Sequence, residues 1–155
     1  MLANLIPIII HYTRNMSSQI QTVNTTKAPS AIGPYSQAII ANGFVYASGQ
    51  IPVVPETGNI ISDDVKEQTK QVIKNLTNVL EAANSSLSQV VKTTVFIKDM
   101  NDFSSVNEIY GECFGSSRPA RACVEVSRLP KDVKVEIDAV ALVNSFFVTS
   151  SFSKI

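Results

Sequence analysis

Apolar side chains recur along this chain with two different periods, and each switch of period marks an element. Val65, Val72, Ile73, Leu76, Val79, Leu80 and Ala83 return at three- and four-residue spacing, which gathers them on one face of a helix. Asp63 opens that helix and Asn84-Ser85-Ser86 ends it. Val91, Thr93, Val95 and Ile97 then alternate, as a half-buried strand requires. Asp102 caps a second helix, with Phe103, Val106, Tyr110 and Cys113 on one stripe. Alternation returns over residues 120–126 and 133–142, joined by Leu129-Pro130-Lys131-Asp132. Upstream, Phe44 to Gln50 reads as a strand entering a turn at Gly49, and residues 52–59, with two prolines and Gly58, read as loop. The order is strand, strand, helix, strand, helix, strand, strand. With two helices and about five strands, the economical packing is α+β, one sheet with both helices on one face.

That packing leaves the other face of the sheet open, and the last two strands predict what it carries. Taken as a hairpin, they bury Ala122, Val124 and Val126 together with Val133, Val135, Ile137 and Ala139 against the helices. Arg121, Cys123 and Glu125 then share the open face with Lys134, Glu136 and Asp138, and Arg121 and Glu136 become near neighbours. The plainest account of such a row is a solvated charged face. Arginine, however, has a planar fork that grips a carboxylate through two parallel hydrogen bonds. Glu125 and Asp138 compete with Glu136 as the working carboxylate.

Composition narrows the chemistry. Of 155 residues 45% are hydrophobic, which suits a folded domain with a real core. Lysine plus arginine equals aspartate plus glutamate at 13 each, so there is no overall pull toward nucleic acid or an anionic membrane. Cys113 and Cys123 have no metal or disulfide spacing and read as reduced thiols. The single histidine, His11, precedes the patterned region, which excludes a Ser-His or Cys-His site and any multi-histidine metal cage. No glycine-rich phosphate loop is present. Chemistry must run on carboxylate, arginine, backbone and water.

The tails stand apart. Residues 1–24 hold a short apolar run, Leu5 to Ile10, then Arg14 and several Ser and Thr, with no acidic residue before Glu56. This is compatible with a mitochondrial presequence, Met16 serving as a second start for a cytosolic form, and equally with a disordered extension. Residues 144–155 leave the strand pattern and end in Ser153-Lys154-Ile155, a degenerate form of the peroxisomal Ser-Lys-Leu address.

Six segments, in order, resemble one known family. They are Gly33-Pro34-Tyr35-Ser36-Gln37-Ala38, Ser48-Gly49-Gln50-Ile51-Pro52, Val91-Lys92-Thr93-Thr94-Val95-Phe96, Pro119-Ala120-Arg121-Ala122-Cys123-Val124, Arg128-Leu129-Pro130-Lys131-Asp132 and Val135-Glu136-Ile137. Across residues 25–143 the chain is similar to the reactive intermediate deaminase, or RidA (YjgF-like), family. That resemblance implies a chorismate-mutase-like protomer with one mixed sheet, assembled as a homotrimer with active sites between subunits. It implies hydrolysis of 2-iminopropanoate and 2-iminobutanoate to 2-oxo acids and ammonia, without cofactor or metal. Arg121 would bind the substrate carboxylate and Glu136 would orient or deprotonate the attacking water. The backbone at Cys123 would contact the imine or the water, Tyr35 would wall the pocket, and Gly49 and Asn107 would line it. Some relatives are described instead as ribonucleases or translation inhibitors, which the balanced charge and the lack of a catalytic histidine disfavour. A carboxylate binder without turnover is a third possibility. The segment Gly115-Ser116-Ser117-Arg118 is shorter than the corresponding loop of many relatives, so the pocket rim is expected to differ here.

Overall fold

The computed structural model describes residues 20–144; the expectations placed on His11, Met16 and the last three residues lie outside them. Gln21–Val23, set in the N-terminal tail by sequence, instead pair with residues 38–40 and bury Val23 in the core, so the domain starts earlier than residue 25. In chain order the elements are β1 (Gln21–Val23), β2 (Ala38–Ala41), β3 (Phe44–Gln50), α1 (Val65–Ala82), β4 (Val90–Ile97), α2 (Phe103–Phe114), β5 (Ala120–Glu125) and β6 (Val135–Leu142). The strands form one sheet in the order β1-β2-β3-β6-β4-β5, and only the β4–β5 pairing is parallel. The architecture is α+β with a mixed six-stranded sheet and two helices.

Local chemistry explains the boundaries. Asn42 and Gly43 both take positive φ, 51° and 80°, and make the two-residue turn between β2 and β3. Asp64, one residue beyond Asp63, is the cap of α1: its side chain accepts a 2.9 Å hydrogen bond from the Glu67 amide. The helix ends at Ala82, and Asn84 follows in the left-handed region at φ 55°. The face of α1 carrying Val72, Leu76, Val79 and Leu80 is buried, against Val45, Val95, Val135, Ile137 and Ala139 of the sheet. Each fully buried side chain of this kind contributes roughly 1.5–3 kcal/mol.

Two expectations fail here. On α2 the buried residues are Val106, Ile109, Tyr110 and Phe114, whereas Phe103 and Cys113 are exposed. The stripe is rotated because the helical path starts earlier, in a 3-10 turn over Met100–Asp102. Asp102 therefore has helical backbone and makes no side-chain cap; Asp99 supplies one instead, accepting from the Asn101 amide at 2.9 Å.

The larger correction concerns the last two strands. They are not a hairpin: β4 lies between them, parallel to β5 and antiparallel to β6. Residues paired across neighbouring strands share a face. Thr93 pairs with both Arg121 and Ala139, and Val95 pairs with both Cys123 and Ile137, so Arg121 and Cys123 point to the helix side. Phe96 pairs with Val124 and Glu136, so Glu136 points to the open side. Arg121 and Glu136 thus occupy opposite faces of one protomer. The alternation misled because β5 is an edge strand, where an apolar row need not seek the helix layer. Ala122 and Val124 lie on the open face beside Phe96, and Val124 stays 41% exposed.

Candidate active site

Two half-sites divide the predicted residues between them. The first is built on β5 and α2. Phe103, Asn107 and Tyr110 fall at four- and three-residue spacing and so share one side of α2. The Arg121 guanidinium carbon lies 4.7 Å from the Tyr110 ring centre and 5.8 Å from that of Phe103, and its Nη2 donates to Asn107 Oδ1 at 2.9 Å. Tyr110 is itself fixed, stacked on Phe114 at 4.2 Å and hydrogen-bonded through its hydroxyl to Thr93 at 2.8 Å. A guanidinium spread over aromatic faces keeps its charge while losing rotamer freedom. Arg121 has no acidic partner among the described residues, so its remaining donors face a cleft of about 370 Å³ shared with Arg118, Ser117 and Asn107.

The second half-site surrounds Glu136. Its neighbours Val135 and Ile137 are fully buried on the helix side, which fixes the Glu136 side chain on the open side over Gly49. A methyl group built at Gly49 would overlap Glu136 Oε1 and stand 2.8 Å from its Cδ, so only glycine leaves the carboxylate in place. Gly49 lies at the irregularity where β3 shifts register against β6. Burial, and after it the Asp138 carboxylate, push the Glu136 carboxyl above its ordinary pKa. Among the described residues Glu136 forms no salt bridge; Lys131, on the wall of the same cleft, donates instead to the Gly58 carbonyl at 3.1 Å. The two rival carboxylates are occupied: Asp138 accepts from the Thr94 amide at 3.0 Å and Glu125 from the Met100 amide at 2.7 Å.

Around Glu136 opens a cleft of about 810 Å³ whose wall includes Tyr35, Ser48, Ile51 and Lys131. Three buried or half-buried side chains hold that wall. Gln37 accepts from the Thr25 amide at 2.6 Å and donates to the Pro29 carbonyl at 2.7 Å, tying down the segment before Tyr35. Ser48 donates to the Ser36 carbonyl at 2.7 Å. Asn75, fully buried on the apolar face of α1, donates to the Ile51 and Val53 carbonyls at 3.0 and 2.8 Å. Tyr35 follows a tight turn closed by its amide on the Gly33 carbonyl and is 53% exposed.

Tyr35, Gly49 and Glu136 are therefore brought together, as are Arg121 and Asn107, but the two groups are not brought to each other within one chain. Cys123 is partly buried beside the core, and burial raises its thiol pKa, which leaves it a poor nucleophile. Phe103, Tyr110, Gln37 and Asn75 were not singled out for the site from sequence. An asparagine inside the aromatic stripe of α2, and another in the apolar row of α1, were the available signals. Among the described residues no cluster of three or more His, Cys, Asp or Glu side chains is placed to hold a metal ion.

Comparison with known proteins decides the family. The family model described as Endoribonuclease L-PSP matches residues 25–143. The chain belongs to this family, also known as YjgF/RidA. The human 2-iminobutanoate/2-iminopropanoate deaminase is 50% identical over 82% of this chain and 93% of its own length. A RutC family protein of Pyrococcus abyssi is 57% identical over 78% of this chain and 95% of its own. Among solved structures, Escherichia coli TdcF with bound serine superposes on this YjgF/RidA chain with a TM-score of 0.76, at 44% identity, covering 80% of this chain and 99% of that one.

Proposed function

We propose that this protein is a hydrolytic deaminase of 2-imino and 2-enamino acids, with 2-iminopropanoate and 2-iminobutanoate among the substrates it turns over. One observation carries the reading: an unpaired guanidinium and an unpaired, desolvated carboxylate sit on opposite faces, each the half of a site that the other lacks. The active site forms where the Arg121 side of one copy meets the Glu136 cleft of a second. Closed rotational symmetry supplies such a junction at every interface of a homotrimer. The open face supports assembly, since Ile39, Tyr46, Phe96, Val124, Val140 and Leu142 line up there by register, with Tyr46 48% exposed.

At that junction the Arg121 fork takes the substrate carboxylate and sets the C2 carbon against the facing cleft. Water held by Glu136 attacks C2, and its proton passes to the carboxylate. The C2–N double bond becomes single as Glu136 returns that proton to the nitrogen, and the resulting carbinolamine transfers its hydroxyl proton to the nitrogen as ammonia leaves and the 2-oxo acid forms. The raised affinity of Glu136 for protons suits a general base, a role that contributes about 10²–10⁴-fold. β5, as an edge strand, leaves one side of its backbone unpaired in the protomer, where a main-chain contact at Cys123 is available. The names borne by the human and Salmonella typhimurium relatives support the same reaction class.

The test couples a threonine dehydratase to 2-oxobutanoate release, with and without the full chain. Release is expected to accelerate with the wild-type protein and not with Arg121→Ala or Glu136→Gln. Equal rates with wild type and Arg121→Ala would remove the deaminase assignment. RNA cleavage that persists through further purification and is lost in the same variants would favour the nuclease reading suggested by the family description.

A further inference from the structure

The cleft that Arg121 faces holds a second cation. Arg118 lines the same concavity of about 370 Å³, and no aspartate or glutamate lines it with them. Arg118 stands in the loop before Pro119, three positions from Arg121, so the two backbones are separated by at most about 10 Å. Neither arginine forms a salt bridge among the described residues, whereas Arg128, beyond the other end of β5, pairs with Asp132 at 2.6 Å. Two guanidinium groups sharing a small cleft repel each other, and water screens that repulsion only in part. An anion that bridges them relieves it. The polar part of the lining, Ser117 and Asn107, adds hydrogen-bonding groups for a small anion beside Tyr110, Phe114 and Pro119.

We propose that Arg118 is a specificity-determining residue that receives a second carboxylate, so that the preferred substrates are 2-imino dicarboxylic acids. This rests on the deaminase reading for the role of Arg121 and adds a substrate class to it. Arg121 anchors the carboxylate next to the reacting carbon, and Arg118 takes the carboxylate at the far end of a short side chain. A C4 skeleton, the imine derived from aspartate, carries its two carboxylates on adjacent carbons, one for each guanidinium of the shared cleft. Tyr110, Phe114 and Pro119 supply an apolar part to the same cleft, so the preference for a dicarboxylate rests on the second cation.

Binding of the two matching products to the full chain tests this without requiring turnover. Oxaloacetate and 2-oxobutanoate are titrated by calorimetry into wild type, Arg118→Ala, Arg118→Lys and Arg121→Ala. Wild type is expected to bind oxaloacetate about tenfold more tightly, and Arg118→Ala to bring the two ligands within threefold of each other by weakening oxaloacetate alone. Arg118→Lys should keep part of the preference, and Arg121→Ala should lose both ligands. Arg118 is exposed, so these substitutions leave the core intact. An unchanged preference in Arg118→Ala, equal weakening of both ligands, or no preference in wild type overturns the proposal. The dehydratase-coupled assay separates that result from failure of the deaminase reading: 2-iminobutanoate turnover that survives in Arg118→Ala keeps the deaminase while the dicarboxylate site falls.

Discussion

The two half-sites solve opposite problems. Around Glu136 a charge is held half-buried on the wall of a cleft: a glycine gives it room, buried neighbours fix its direction, and its affinity for protons rises. Around Arg121 a charge is held where water is plentiful: an edge strand presents it, and two aromatic rings and an amide restrain it. The first gains reactivity from burial and the second gains geometry from stacking. A base benefits from a shifted pKa, whereas a carboxylate anchor needs only a permanent charge in a fixed fork. The contrast makes each half sensitive to a different kind of substitution.

The Arg121 half should break most completely. On the proposed reading Arg121→Ala removes two charge-assisted hydrogen bonds to the substrate, each worth about 1.5–3 kcal/mol, so kcat/KM should fall by about 10²–10⁴-fold. Arg121→Lys should recover little, because an ammonium can neither fork around a carboxylate nor lie flat on Tyr110. Steady-state kinetics on the dehydratase-coupled assay reads both. A lysine variant near wild-type activity would mean that charge alone is used there.

Joining the halves across an interface can be tested without touching either chemistry further. Arg121→Ala and Glu136→Gln chains, each inactive, are mixed equally, unfolded and reassembled. If every site takes its arginine from one copy and its glutamate from the next, about one quarter of the sites are intact by chance, and activity should return to about one quarter of wild type. No recovery, with reassembly confirmed by sedimentation, would mean that one copy supplies both groups.

Much of this was legible in the sequence, and what was not has a common cause. The face of α1 and the alternation of β6 were readable because burial acts on every residue of the row, from Val72 to Leu80 and from Val135 to Ala141. The partner of β5 was not readable. Short loops favour hairpins, and nothing local to residues 126–134 says that β4 will lie between the two strands. The face of Arg121 followed from that error, since an apolar row at a sheet edge has no single required side. Family resemblance placed Arg121 and Glu136 at the site by position and did not depend on that geometry. Gly49 was visible as a glycine, but the carboxylate pressed against it comes from 87 positions further along, a contact no local pattern contains.

That contact makes the Glu136 half the more sensitive to added bulk. Gly49→Ala should displace the carboxylate while leaving the fold, lowering kcat by about 10–100-fold with little change in KM, as expected when geometry at the reacting carbon is disturbed by about 1 Å. A KM effect alone would place Gly49 in binding. The pH profile gives a finer reading. As the proposed base Glu136 would work only when ionised, and its pKa is raised, so activity should fall as pH drops through a value above the ordinary carboxylate range, about tenfold per pH unit. The acid limb should vanish from whatever residual rate Glu136→Gln retains. The guanidinium of a facing copy would pull that limb back toward the ordinary range, so its position also reports how close the two halves come.

The smallest effects separate the helices that support each half. α1 carries Asn75, which holds the wall of the Glu136 cleft, and α2 carries Asn107 and Tyr110 beneath Arg121. Their first turns are secured differently. Asp64 caps α1 directly, so Asp64→Ala should lower stability by about 1 kcal/mol in urea unfolding. Asp102 looks like the same device in sequence, yet the preceding 3-10 turn has already given it helical backbone and its side chain caps nothing. Asp102→Ala should therefore change stability by less than about 0.5 kcal/mol, whereas Asp99→Ala, which removes the bond to the Asn101 amide, should cost more. If Asp102→Ala proves as costly as Asp64→Ala, α2 begins at Asp102 in solution. Phe103 would then start its own helix, and its place beside Arg121 would be set by that cap.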